Sequence, residues 1–226
     1  MALNIAHSEF PEQQGGLMIC GYEWGGGDEE AQGGSEPHMD EAAICTFANK
    51  DLRYGPAALR WPYDRRIRKW FEIWGHPLNR DYPGDFEKSI VQTNWCNSQN
   101  PRMDGDYTAL RAPTQSNNFL NHVKHFAPRL LLLMGSRLID ALQHPPTLEG
   151  FESIAGRCTS PPQIVQKPST LRRFKIGFQA FERCDVVCLP HPSSSHGLSD
   201  DYIALFNEEI GQRLADYRLA RTPTGA

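Results

Sequence analysis

A glutamate at position 23, an asparagine at 94 and a histidine at 191 each stand where an apolar run breaks into a polar loop. Leu17-Met18-Ile19-Cys20-Gly21-Tyr22 leads into Glu23-Trp24-Gly25, and Val186-Val187-Cys188-Leu189 leads into Pro190-His191-Pro192-Ser193-Ser194-Ser195-His196-Gly197. Runs of that length read as buried strands ended by turn residues. In a parallel α/β sheet ligands sit outside the carboxyl ends of the strands, where such loops converge. Glu23 and His191 are therefore expected to meet. A carboxylate there could stabilise a developing cation or orient water. An amide could read a planar hydrogen-bonding edge, and an imidazole could donate to a departing anion. Hydrolysis of an N-glycosidic bond uses all three parts, because its transition state resembles an oxocarbenium ion and its leaving base carries negative charge. Each residue also has a quieter reading: Glu23 as a solvated loop carboxylate, Asn94 bonded to its own turn, His191 as a strand cap.

Other chemistries fit less well. Ser193, Ser194 and Ser195 lie near His196, but no G-x-S-x-G elbow is present to expose a serine nucleophile. His122, His125 and His144 lack the i, i+4 pairing or carboxylate company of a metal site, so neither a metal nor a cofactor is expected. The stretch from Gly25 to Pro37 is glycine-rich after a first strand, yet it matches neither GxxxxGK[ST] nor GxGxxG. Its Asp28-Glu29-Glu30 would repel a phosphate.

The elements that must position these residues follow from periodicity. Ile67, Trp70, Phe71 and Trp74 recur at i, i+3, i+4 and i+7 behind Pro62 and before Gly75, predicting a helix over 62–74. Ser89 to Trp95 reads as a strand that runs into a polar loop through Asn97, Asn100-Pro101 and Arg102. Phe119, Leu120, Val123 and Phe126 suit a short helix, and Leu130 to Gly135 is an apolar strand covered on both faces. A helix from Ser136 ends at Pro145-Pro146, and the proline-rich residues 144–170 read as an excursion or loop. Phe174 to Phe181 alternates like a half-exposed strand added antiparallel to Val186–Leu189. Ser199 caps a closing helix carrying Ile203, Phe206, Ile210, Leu214 and Tyr217. Alternating strand and helix signals predict a three-layer α/β/α sandwich, with a mainly parallel sheet of about four strands ending at Glu23, Asn94, Gly135 and His191.

With 226 residues the chain fits one domain over 1–226, with 219–226 as a disordered tail. Its six cysteines are scattered without a CxxC pair, which suits reduced thiols in a cytoplasmic protein. No segment approaches the roughly 20 apolar residues of a membrane span. The formal charge of −4 disfavours a protein that grips nucleic acid by a broad basic surface. Two local basic patches, Arg65-Arg66 with Arg68-Lys69 and Arg172-Arg173 with Lys175, read as solvated faces.

The order of segments resembles the uracil-DNA glycosylase superfamily. Gly21-Tyr22-Glu23-Trp24-Gly25 is similar to that family's G-x-(D/N/A)-P-G-like loop after the first strand, and His191-Pro192-Ser193 matches its H-P-S loop. Thr93-Asn94 resembles the strand end whose amide reads the base, and Leu130–Gly135 resembles the apolar strand and glycine preceding a helix. The similarity spans residues 17 to about 206 in order and approximate spacing. The resemblance implies that Glu23 handles water and the sugar cation, and that His191 stabilises the leaving base. Asn94, Tyr22, Trp24 and Phe47 would hold the base, while Ser193 and Ser194 would contact phosphate. The implied partner is DNA, single-stranded or damaged, or a nucleotide, with the target base flipped into a pocket. Trp24 stands where the family has proline, Glu23 is one methylene longer than aspartate, and Leu198 is the nearest counterpart of the family's leucine wedge. The alternatives are a non-catalytic member of the same fold that binds nucleic acid, a nucleotide or a protein, and hydrolysis of a free nucleoside or small glycoside.

Overall fold

A computed structural model describes residues 3, 5–25, 44–100, 107–170 and 172–221. The acidic loop beyond Gly25, the Pro101-Arg102 part of the later polar loop and residues 222–226 lie outside the described residues. The apolar runs form β1 (Leu17–Gly21), β3 (Ile90–Asn94), β5 (Leu130–Met134) and β8 (Asp185–Leu189). Two-residue strands β2 (Trp24–Gly25) and β4 (Gln99–Asn100) follow the first two, and β6 (Cys158–Val165) and β7 (Ile176–Phe181) lie between β5 and β8 in sequence. The main sheet has six strands in the order β3-β1-β5-β8-β7-β6. Its first four strands are parallel, and β7 runs antiparallel to both β8 and β6.

The helices are α1 (Asp51–Tyr54), α2 (Pro62–Ile73), α3 (Asp85–Lys88), α4 (Pro113–Phe126), α5 (Leu138–Leu142), α6 (Pro145–Ala155), α7 (Asp200–Ala204) and α8 (Asn207–Leu219). Side chains of a strand alternate between faces, and the core divides accordingly. Leu17 and Ile19 of β1 join Leu130, Leu132, Val187 and Leu189 beneath α2, α7 and α8. Met18 and Cys20 join Leu131, Leu133, Val186 and Cys188 beneath α4, α5 and α6. Helices thus cover both faces of a mainly parallel sheet, an α/β architecture consistent with the three layers expected.

Residues 144–170 are not an irregular excursion. Pro145 and Pro146 open α6, where a missing N–H leaves no helical bond unmade. Pro161 and Pro162 fall within β6, which tolerates them because it is the edge strand and its register shifts on either side of Ser160. The sheet consequently gains β6, beyond the four parallel strands and the antiparallel β7 that the sequence pattern leads one to expect. Strand β7 is buried along nearly its whole length rather than half-exposed, since helices pack on both faces there too. The closing helix is capped by Ser199, whose Oγ accepts from Tyr202 N at 3.1 Å, but it divides into α7 and α8 around Phe206. Leu219 ends α8, and the Arg221 guanidinium donates to the carbonyls of Gln14 and Gly15, so residues 219–221 belong to the fold.

At the opposite edge, Ala6 N donates to Gln92 O and Gln92 N donates to His7 Nε2 at 3.1 Å, so the N-terminal segment covers β3. Burial holds the His7 imidazole down to about 3, which keeps Nε2 an acceptor.

Candidate functional site

Parallel pairing brings the carboxyl ends of β3, β1, β5 and β8 side by side. Gly21 lies in register with Asn94 at the first boundary. A side chain at Gly21 would overlap Asn94 Oδ1 and come within 3.0 Å of the Tyr63 hydroxyl, so glycine there lets the Asn94 amide lie across the strand tip. Asn94 is buried, and its carbonyl accepts from Asn118 Nδ2 at 3.2 Å.

The segment carrying Glu23 is fastened to the loop after β3. Trp95 N donates to Gly21 O at 2.9 Å and Cys96 N to Tyr22 O at 2.8 Å, and β2 pairs in parallel with β4. Ser98 Oγ donates to Glu23 Oε2 at 2.9 Å. Proximity to the Glu23 carboxylate adds to the burial that pushes the Cys96 thiol up to about 12.

Tyr22 reaches in the other direction, across the boundary of β1 and β5. Strand order reverses there, since β3 lies on one side of β1 and β5 on the other, and α/β proteins place ligands at such a point. Its ring occupies the space that a Cβ on Gly135 would need, with the hydroxyl oxygen 2.7 Å from that position. The hydroxyl accepts from Arg137 N at 3.0 Å. The ring lies parallel to the His191 imidazole, centroids 5.7 Å apart, and Tyr63 flanks the same imidazole at 5.3 Å.

His191 is oriented by its own loop. Ser193 N and Ser194 N point at Nδ1 from 3.3 and 3.2 Å, and Ser193 Oγ lies 3.3 Å from the same atom. Two amide donors require a lone pair on Nδ1, so the neutral ring carries its proton on Nε2. Burial lowers this histidine to about 4, leaving it neutral at pH 7. The loop is in turn gripped by Arg66 on α2, which donates to Pro192 O at 2.9 Å and to Leu198 O. Part of the first basic patch is therefore a brace under the H-P-S loop rather than a solvated face.

The strand tips thus bring Tyr22, Asn94 and His191 into one neighbourhood, with Glu23 directly following Tyr22. Phe47 is fully buried in the core, with the Lys50 ammonium 5.0 Å from its ring centroid. Leu198 is buried and packs in the core, so it does not project as a wedge. Ser193 turns toward His191, whereas Ser194 lines the neighbouring groove. Trp24 is half-buried on β2, and its indole N–H has no hydrogen-bond partner among the described residues. Nothing in the sequence singles out Tyr63 or Ser98, or the brace that Arg66 forms. Each acts on a site residue far away in sequence, and no spacing rule signals such a contact. Among the described residues no cluster of His, Cys, Asp and Glu converges as a metal site, and no helix is long and apolar enough to cross a membrane.

No family model matches the chain, and no curated protein matches it.

Proposed function

We propose that the chain is a divergent uracil-DNA glycosylase-like N-glycosyl hydrolase that releases uracil or another altered base from DNA after the nucleotide is flipped out. The observation that carries this reading is the state of His191, a neutral imidazole whose Nδ1 accepts from two backbone amides and whose Nε2–H remains to donate. When the C1′–N bond breaks, the base leaves with the bonding pair, and a donor aimed at the resulting anion lowers the barrier without transferring a proton. The Glu23 carboxylate, fixed through Oε2 by Ser98, stabilises the sugar cation and orients the water that adds to C1′ and sheds a proton. Asn94 reads the base edge, with a buried amide pinned over Gly21.

A second reading rests on Tyr22. Its ring covers one face of His191 and fills the space over Gly135, which favours a protein of similar architecture that binds nucleic acid, a nucleotide or a protein partner without cleaving.

Oligonucleotides, single-stranded and duplex, carrying uracil, hypoxanthine or a thymine mismatch separate the two when tested for alkali-labile abasic sites. Abasic product from the wild type that disappears in Glu23→Gln and His191→Ala supports hydrolysis. Binding without product, unchanged by either substitution, supports the second reading and contradicts the first.

A further inference from the structure

Beside the H-P-S loop runs a groove of about 570 Å³. One wall is the loop itself at Ser194, Ser195 and His196, and another is the start of α5 with Arg137. The third is the segment between β6 and β7, which contributes Arg172, Arg173 and Lys175. Among the described residues Asp140 is the single acidic one lining it, and that carboxylate lies 3.8 Å from Arg137. Four cations therefore face one acid in a protein whose overall charge is −4. The second basic patch is solvent-exposed, as a solvated face would be, and it lines a concave surface.

The cations are placed in different ways. Arg172 donates to His196 O at 2.9 Å and lies over the Phe174 ring at 5.5 Å, which fixes it against the loop. Gly197 makes room for it, with a φ of +79° and the Arg172 side chain 3.2 Å from where a Cβ would stand. Arg173 and Lys175 are exposed and form no ion pair among the described residues. Cations gathered on one concave surface repel one another and focus a positive potential there. An anion relieves that repulsion. A groove of about 570 Å³ is far larger than a single phosphate ion, which favours an anion that repeats along a chain over one compact ion.

We infer that this groove binds the phosphodiester backbone of a nucleic-acid strand, guiding it past the H-P-S loop so that one nucleotide reaches His191. The inference deepens the proposed function and rests on it for the direction of the strand, but its charge argument stands on the groove alone. The β6–β7 arm is thus a binding element, and its exposed side chains carry the electrostatic part of affinity.

The test is fluorescence anisotropy of a labelled single-stranded oligonucleotide with the full chain across a salt series. Three or four phosphate contacts predict a log K against log salt slope of about −2 to −3, or roughly 20- to 60-fold weakening from 50 to 200 mM salt. Arg173→Ala/Lys175→Ala should weaken binding at least tenfold and flatten the slope by about 1.4. Lys69→Ala, which removes an exposed cation on α2 paired with Glu72, should leave the slope unchanged. An unaltered slope in the double variant overturns the inference, as does the absence of binding at 50 mM salt. Inorganic phosphate or a mononucleotide binding as tightly as the oligonucleotide overturns the strand in favour of a small anion. Base release, measured on the same oligonucleotides, separates the two claims. Release with no groove effect sinks only the groove, and a groove effect without release sinks only the hydrolase reading.

Discussion

The rings of Tyr22 and His191 lie within 2° of parallel with centroids 5.7 Å apart, which couples the loop after β1 to the loop after β8. Tyr22 shields the imidazole from water, supplying part of the burial that keeps it neutral. Replacing Tyr22 by alanine should therefore raise the His191 titration midpoint from about 4 toward the unperturbed 6.5. It should also cost about 3–5 kcal/mol in urea unfolding, the range for removing a buried aromatic ring. Tyr22→Phe keeps the stack and loses the hydroxyl's bonds with Arg137 N and the Ser136 side chain, for about 1–2 kcal/mol and little change in titration.

His191 itself should titrate as a buried ring. Two-dimensional ¹⁵N–¹H spectra should show the Nε2–H tautomer, with protonation centred near pH 4. The unfolded chain takes up this proton near 6.5 while the folded chain refuses it, so the contribution to stability is complete above about pH 6.5 and declines as pH falls toward 4. A midpoint near 6.5 in the folded protein would show that the ring is not buried as described, and an Nδ1–H tautomer would show that Nδ1 does not accept from Ser193 N and Ser194 N.

Arg66 supports His191 without touching it. Arg66→Ala removes the donor to Pro192 O and Leu198 O, leaving two carbonyls of the H-P-S loop without their charged partner. The expected outcome is a loss of about 1–3 kcal/mol in stability. The amide resonances of Ser193 and Ser194 should broaden as the loop loosens, while those of β3 stay sharp. Arg66→Lys keeps the charge but reaches at most one of the carbonyls, and should fall between wild type and alanine.

Beneath the site, Lys50 Nζ lies 2.7 Å from Asp64 Oδ2 in full burial, and Gln92 bonds to both residues. Burial pulls the lysine below its ordinary value while Asp64 opposes the shift. Lys50→Ala or Asp64→Ala strands an uncompensated buried charge and should cost about 3–5 kcal/mol. Lys50→Met with Asp64→Leu together should be far milder, near neutral within about 1–2 kcal/mol. Equal losses for the single and double variants would contradict this account.

The parts of the fold that were legible in the sequence are those decided by local pattern. The short apolar runs at Leu17, Leu130 and Val186 and the β-branched start Ile90-Val91, each ended by turn residues, form strands of a sheet covered on both faces. The stripe Ile67-Trp70-Phe71-Trp74 does fix the buried face of α2. Pro145 and Pro161 misled because proline stops an element only in its interior, and here it begins α6 and sits on an edge strand. At the site, the loop positions of Glu23, Asn94 and His191 could be read from where the runs end. The burial of Phe47 could not, since an aromatic residue in a polar context looks equally suited to a core or a base. Arg66 looks solvent-facing in the sequence because its partners are backbone carbonyls, which carry no trace in residue identity.

Single-turnover release of free base from a uracil-containing oligonucleotide, comparing wild type with His191→Ala, tests the central claim most directly. The account predicts measurable release by the wild type and a rate about 10²–10³ lower without the Nε2–H donor. Equal rates in the two proteins, or intact oligonucleotide after exhaustive incubation with the wild type, would contradict it.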